Sequence, residues 1–202
     1  MRGNPRRICA AMDEFAAQHD FLINIGSDKA AKAAAVIAQT APRTCVELGG
    51  YVGYSALWFG QALRDAHGAA GTAGVRYWSL EADPVFAAIA MSLVDLAGLS
   101  DVVRVVTGKA ASSLARLKRE GALEAVDFVF LDHVEALYHV DMQKIEELGL
   151  VKEGTTVVAD NVLRPGAPKY REYIRGRPGW ETRVVEGLIM PGEFPVCVPG
   201  RW

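Results

Sequence analysis

Apolar residues in this chain switch between two periods. The stretch 10–17 repeats at helical spacing, and the Ala/Lys-rich stretch 29–39 favours a helix by propensity. Short, near-continuous apolar runs then recur at 44–48, 75–80, 102–106, 126–131 and 155–159, each of strand length. Helical stretches separate them: 54–66, a helix opened by Pro84, 111–119 and 140–148. The tail, 180–198, reads as two strands joined by a turn at Pro191-Gly192. Continuous apolar strands alternating with helices predict an α/β fold, a parallel sheet covered on both faces by right-handed crossovers. A closing antiparallel pair is compatible with it.

The 202 residues fit one domain, with helices at 1–40 capping a sheet core at 43–202. No repeat or linker interrupts it. A net charge of -2 offers no basic face, so no nucleic-acid or membrane partner is expected. No apolar run suits a signal peptide or a membrane span. Cys9, Cys45 and Cys197 are odd in number, widely spaced and without a CxxC pair, which argues against a disulfide scaffold and a cysteine zinc site. A cytoplasmic location is the default expectation.

In open α/β sheets ligands bind beyond the carboxyl ends of the strands, so the residues there carry the functional reading. The first strand ends in Glu47 and the turn Gly49-Gly50-Tyr51-Val52-Gly53. Glycines let a backbone approach a ligand closely. The turn is not GxGxxG and has no Lys, and Glu47 would repel phosphate. It suits a cationic or neutral nucleoside cofactor, or else is a tight turn with no ligand. Glu81 ends the second strand, where a carboxylate accepts from both ribose hydroxyls; a helix cap or a solvated charge is the alternative.

Asp132 follows Phe128-Val-Phe-Leu131, and Asp160-Asn161 follows Thr156-Val-Val-Ala159. One helix separates these strands, so they can be neighbours at about 4.8 Å. Two carboxylates and an amide oxygen would then converge, and an all-oxygen set selects a hard cation such as Mg²⁺. Two unrelated helix caps are the alternative. His133, beside Asp132, either contacts substrate or cofactor or is structural. His19, His67 and His139 are expected to face solvent. Tyr51, Tyr54 and Phe21 line an aromatic slot or pack in the core.

Five motifs in register resemble the catechol O-methyltransferase family: Asn24-Ile-Gly-Ser-Asp-Lys29, Val46-Glu-Leu-Gly-Gly-Tyr-Val-Gly-Tyr-Ser55, Leu80-Glu-Ala-Asp-Pro84, Phe130-Leu-Asp-His133 and Ala159-Asp-Asn-Val-Leu-Arg-Pro-Gly166. The resemblance runs over residues 21–176. It implies a Rossmann-like class I methyltransferase with a seven-stranded, mostly parallel sheet and an antiparallel C-terminal strand pair. It implies S-adenosylmethionine and Mg²⁺ as cofactors, and a catechol-type small molecule as the acceptor. Glu81 would hold the ribose. Ile25, Glu47, Gly49, Tyr51 and Ser55 would surround the methionine moiety, and His133 would lie by the adenosine or the reaction centre. Asp132, Asp160 and Asn161 would hold the metal. Phe21, Asp132, Asn161, Pro165 and Glu186 would meet the substrate.

Three departures stand out. The family's Asp-His-Trp-Lys loop is Asp132-His133-Val134-Glu135, so Glu135 takes the place of the Lys that accepts the phenol proton. Residues 67–74 look like an insertion. The family's C-terminal substrate Glu has two candidates, Glu186 and Glu193. A phenol ionises near pH ~10, and two hydroxyls on Mg²⁺ would lower that value. Glu135 and His133 are therefore the candidate catalytic side chains, with Glu135 accepting the proton. The competing readings are a cofactor- and metal-binding protein with weak or no catalysis, a methyltransferase for a non-catechol phenol, and a nicotinamide dehydrogenase, which the missing GxGxxG disfavours. A monomer or weak homodimer is expected.

Overall fold

A strand of alternating side chains must bury both faces when helices flank it on both sides, and the central runs do so, while the edge strand keeps Arg104 and Thr107 exposed. The computed structural model describes residues 1–68 and 71–188, and the backbone of a last strand at 195–201. The elements are α1 (Pro5–Gln18), α2 (Gly26–Thr40), β1 (Thr44–Leu48), α3 (Tyr54–His67), β2 (Arg76–Glu81), α4 (Pro84–Leu96), β3 (Val103–Thr107), α5 (Ala110–Arg119), β4 (Phe128–Leu131), α6 (Tyr138–Glu147), β5 (Thr156–Ala159), α7 (Pro168–Arg175), β6 (Val184–Leu188) and β7 (Pro195–Arg201). β1 to β5 form one parallel sheet in the order β3-β2-β1-β4-β5.

On one face Cys45, Tyr77, Phe128, Phe130 and Val158 pack with residues of α1 to α4, among them Ile8, Ile37, Leu57, Phe59 and Val94. On the other, Val46, Leu80, Val129, Leu131 and Val157 pack with Leu114, Met142, Ile145 and Ile174 of α5 to α7. At about 25 cal/mol per Å² these two apolar layers supply the main stabilising term.

Local sequence explains several boundaries. Asn4 Oδ1 accepts from the Arg7 amide at 3.0 Å, and Pro5 fills the first position of α1. That cap starts α1 five residues before the apolar repeat at Ala10. Asp83 Oδ1 accepts from the Val85 and Phe86 amides at 2.7 and 3.2 Å and starts α4 at Pro84.

The expected seven-stranded sheet is corrected. Among the described residues the main sheet has five strands, all parallel, and β6 pairs antiparallel with β7 in a separate two-stranded ladder. β6 is instead tied to α2: the Leu188 amide donates to Asp28 Oδ2 at 3.0 Å, and Lys32 Nζ donates to the Glu186 carbonyl at 2.8 Å. Helix α7 was not anticipated. The Pro191-Gly192 turn, Glu193 and part of the 67–74 connection lie outside the described residues.

The order β3-β2-β1-β4-β5 reverses direction between β1 and β4. Crossovers leave β1 toward one side and β4 toward the other, so a crevice opens beyond the carboxyl ends of these two strands.

Candidate functional site

Two loops meet in that crevice. Gly49 has φ +97°, and a β-carbon there would fall on the backbone carbonyl of Asp132. A residue without a β-carbon is needed for this backbone conformation and for the approach. The β1 turn therefore lies directly against the Asp132-His133 loop. Ile25, Gly49, Tyr51, Ser55 and Asp132 line one cleft, joined by Ile23 and Asn24. Four residues expected around a cofactor and one expected at a metal thus come together from three distant segments. Ile25 reaches the cleft because the loop before α2 folds over it, pinned where Asn24 Oδ1 accepts from the Gly26 amide at 3.0 Å.

The expected cofactor carboxylates differ in their settings. Glu81 is half-buried; Oε2 accepts from the Tyr51 amide and Oε1 from the Asp83 amide, both at 2.7 Å. Backbone donors hold this carboxylate in one orientation at the mouth of the site. The Tyr51 ring packs edge-on against Phe86, with centroids 4.6 Å apart. Glu47 is fully buried behind the cleft and accepts from the hydroxyls of Ser55 and Ser79. Burial pushes the Glu47 carboxyl up to about 7, against the pull of the two serine hydrogen bonds. Glu47 thus reaches the cleft through Ser55.

The loop after β3 also belongs to this edge. Gly108 donates to the Glu81 carbonyl at 2.8 Å, so the start of α5 adjoins Glu81. Gly108 and Lys109 carry no motif, and their position after an apolar strand is the one local signal of this placement.

Asp132 and Asp160 end adjacent strands, since Leu131 pairs with Ala159 and the Asp160 amide donates to the Leu131 carbonyl at 2.9 Å. Burial holds the Asp132 carboxyl well above the usual carboxylate range; the Asp160 charge adds to this, Lys29 opposes it, and Glu47 and Glu135 add further. No hydrogen bond or ion pair engages the Asp132 side chain among the described residues. Asp160 Oδ1 accepts from the Asn161 amide at 2.8 Å, and Oδ2 accepts from the buried Lys29 ammonium. Asn161 sits in the left-handed region, φ +57°, and its Nδ2 donates to the Arg164 carbonyl at 3.0 Å, which leaves Oδ1 as its uncommitted donor atom. No three His, Cys, Asp or Glu side chains gather as a metal site among the described residues. The expected set contains only two such groups, its third donor being an amide. Those oxygens, with an unpartnered carboxylate crowded by like charge, fit a hard divalent cation.

The remaining expected residues divide. His133 turns into the fold: Nε2 lies 2.8 Å from Asp141 Oδ2, the ring packs at a tilt against Tyr138 with centroids 4.9 Å apart, and Nδ1 is buried without a partner. Glu135 begins a short 3-10 turn, Glu135–Leu137, half-buried and near enough to Asp132 to raise its carboxyl. Phe21 at 67 %, Ile23 at 71 % and Val134 at 61 % are exposed, and for Phe21 core packing was the alternative. Tyr54 packs in the core and also borders the cleft, its hydroxyl donating to Asp13 Oδ2 at 3.0 Å. Pro165 is exposed in the turn after Asn161. Glu186 lies in β6 and lines a small cavity together with Lys29 and Asp160. His67 and His139 are half-buried where solvent was expected, His67 Nε2 lying 3.0 Å from the Pro42 carbonyl and His139 Nδ1 being buried, whereas His19 is exposed as expected. Lys29 and Asp141 have no local signature of a role, since their partners, 131 and 8 residues away in the chain, meet them only in the fold.

Among the described residues no helix is long and apolar enough to cross a membrane. A family model described as O-methyltransferase matches residues 6–172. Catechol O-methyltransferase from Bos taurus is 35 % identical over 92 % of this chain and 69 % of its own length. The Mus musculus catechol O-methyltransferase is 33 % identical over 96 % of this chain and 76 % of its own length. Among solved structures, the O-methyltransferase from Bacillus cereus in complex with SAH superposes with a TM-score of 0.75 at 23 % identity, covering 91 % of this chain and 84 % of that one.

Proposed function

The chain belongs to the O-methyltransferase family and is an S-adenosylmethionine-dependent O-methyltransferase; from that premise we propose that it methylates a hydroxyl of a catechol-type small molecule with the help of Mg²⁺. The observation that carries this reading is the meeting of Asp132 and Asp160, at the ends of neighbouring strands, with the cofactor turn at Gly49. The methyl donor and a diol-binding cation would then share one crevice.

Asp132, Asp160 and Asn161 would hold the cation, which when bound would lower the pKa of a chelating diol hydroxyl. The chain's own residues do the rest. Glu81, fixed by two backbone amides, receives the ribose hydroxyls. Ile25, Gly49, Tyr51 and Ser55 enclose the methionine end, and Glu47 holds the Ser55 hydroxyl from behind. The Asp141 partner keeps the His133 ring beside the Asp132 backbone, where it meets the cofactor or the reacting centre. Glu135 accepts the phenol proton in the place where the family carries Lys. Phe21, Pro165 and Val134 form the apolar rim of the acceptor slot, with Asn161 and Asp132 at its floor and Glu186 at its far side. Alignment of the nucleophilic oxygen with the methyl–sulfur bond then supplies the remaining acceleration.

The departure at Val134 and Glu135 favours a second reading of the acceptor, a phenol other than a plain catechol, because a smaller side chain and a reversed charge border the slot. One experiment separates them: methyl transfer to a panel of catechols and monophenols, with Mg²⁺ and with chelator. Catechol turnover that chelator abolishes supports the proposal. Turnover on monophenols that is indifferent to chelator overturns it.

A further inference from the structure

Lys29 lies on α2, in a stretch whose composition marks it only as a helix former. In the fold it is buried. Its aliphatic stem runs beneath β6, where a β-carbon on Gly187 would stand 2.5 Å from Lys29 Cγ and 3.1 Å from Cδ. Gly187 thus leaves room for the stem that carries the ammonium to Asp160 Oδ2. The other Asp160 oxygen is held by the Asn161 amide. A buried cation costs free energy unless it is paired, so this arrangement is closed on itself: α2, β5 and β6 all contribute to one ion pair.

The pair changes the charge of the candidate metal site. With a cation bound, Asp132 and Asp160 bring two negative charges, and Lys29 cancels one. A divalent ion placed there would leave an excess of one positive charge over this set, which the nearby Glu135 and a singly ionised diol share in neutralising. We propose that Lys29 is a positioning residue that weakens the empty site's hold on a divalent cation and so couples metal loading to the arrival of an ionisable diol. The inference rests on the metal reading proposed above. By Coulomb's law at an effective dielectric of about 20, a unit positive charge a few ångströms from a divalent ion changes its affinity by well over tenfold. By linkage, the diol must tighten the metal as much as the metal tightens the diol.

The test uses the whole chain without methyl donor and reads Mn²⁺ binding from the free-ion electron paramagnetic resonance signal. Lys29→Met removes the charge and keeps the stem. Lys29→Gln also removes the charge but keeps a donor for Asp160, and it serves if the Met variant does not fold by circular dichroism. Both neutral variants are expected to bind Mn²⁺ at least about tenfold more tightly than the parent. Saturating catechol is expected to tighten Mn²⁺ binding to the parent by a larger factor than in either variant. A merely structural role for Lys29 would give the opposite sign, since loosening Asp160 weakens binding. Parent-like or weaker Mn²⁺ binding in a folded neutral variant overturns the proposal while leaving the metal reading intact. Absence of Mn²⁺ binding in the parent and both variants overturns the metal reading itself, and this inference with it.

Discussion

Glu47 and Ser79 face each other across the β1–β2 pair, and the Ser79 hydroxyl donates to the buried carboxyl of Glu47. Ser55 donates to the other oxygen. Two hydroxyl donors do not offset the loss of water, and burial pushes this carboxyl up to about 7 from its ordinary 4.5. The consequence for stability has a definite sign. Between pH 4.5 and about 7 the unfolded chain has released this proton and the folded chain has kept it. The folded state then binds more protons, so stability falls as pH rises through that window and is level above it, by on the order of 3 kcal/mol in all. Denaturant unfolding of the cofactor-free protein at several pH values measures this slope. Glu47→Gln, which cannot ionise, is expected to flatten it, leaving the share of Asp132, whose carboxyl burial also raises; an unchanged slope would show that Glu47 is not its source.

Glu81 is held by the Tyr51 and Asp83 amides and is the carboxylate proposed for the ribose. Glu81→Ala is expected to weaken S-adenosylmethionine binding by about 1–3 kcal/mol, the range of a lost charge-assisted hydrogen bond. Titration calorimetry reads this directly. Parent-like affinity would move the ribose elsewhere, with the neighbouring Gly108 turn the next place to look.

Gly49 offers a steric test. Gly49 and Gly154 both have positive φ, +97° and +84°, but a β-carbon on Gly49 would strike the Asp132 backbone, whereas one on Gly154 meets nothing within 4 Å. Gly154→Ala is expected to cost roughly 1 kcal/mol, from the left-handed conformation alone. Gly49→Ala adds displacement of the Asp132 loop and is expected to cost more than about 2 kcal/mol and to weaken cofactor binding. Equal losses in thermal stability for the two variants would contradict a close approach of these loops.

Glu135 stands at the start of its turn, close enough to Asp132 to raise that carboxyl. If Glu135 accepts the phenol proton, Glu135→Gln lowers kcat by about 10²–10⁴-fold and leaves S-adenosylmethionine affinity alone. A fall of less than about threefold on the best catechol substrate would mean that ionisation needs no side-chain base here.

Much of the fold could be read from the sequence because apolar strands are local signals. Thr44–Leu48 is β1 as expected, and β2, β3, β4 and β5 differ from expectation by one or two residues at an end. The last two strands and α7 were harder. β6 runs Val-Val-Glu-Gly-Leu with no clean alternation of burial, and its partnership with α2 rests on Asp28 and Lys32, far away in the chain. The candidate edge was legible for a related reason: in a parallel α/β sheet, the residue that follows an apolar strand lies at the edge where ligands bind in such folds, wherever the strand falls in the order. Asp132 and Asp160, each directly after its strand, could be named on that ground alone, and Glu47 and Glu81 stand within the last two residues of β1 and β2.

What the chain order cannot state is which strands adjoin and what side chains bring across from elsewhere. The five-stranded order, with its reversal between β1 and β4, decides that Gly49 touches Asp132 and that Asp132 neighbours Asp160. The pairing of Lys29 with Asp160 was decided in the same way. A Lys in an Ala-rich helix has the same local signature whether it faces water or the interior. Only the packing of α2 against β6, over a glycine that leaves space for the lysine stem, buries the ammonium, and burial forces it onto the nearest carboxylate.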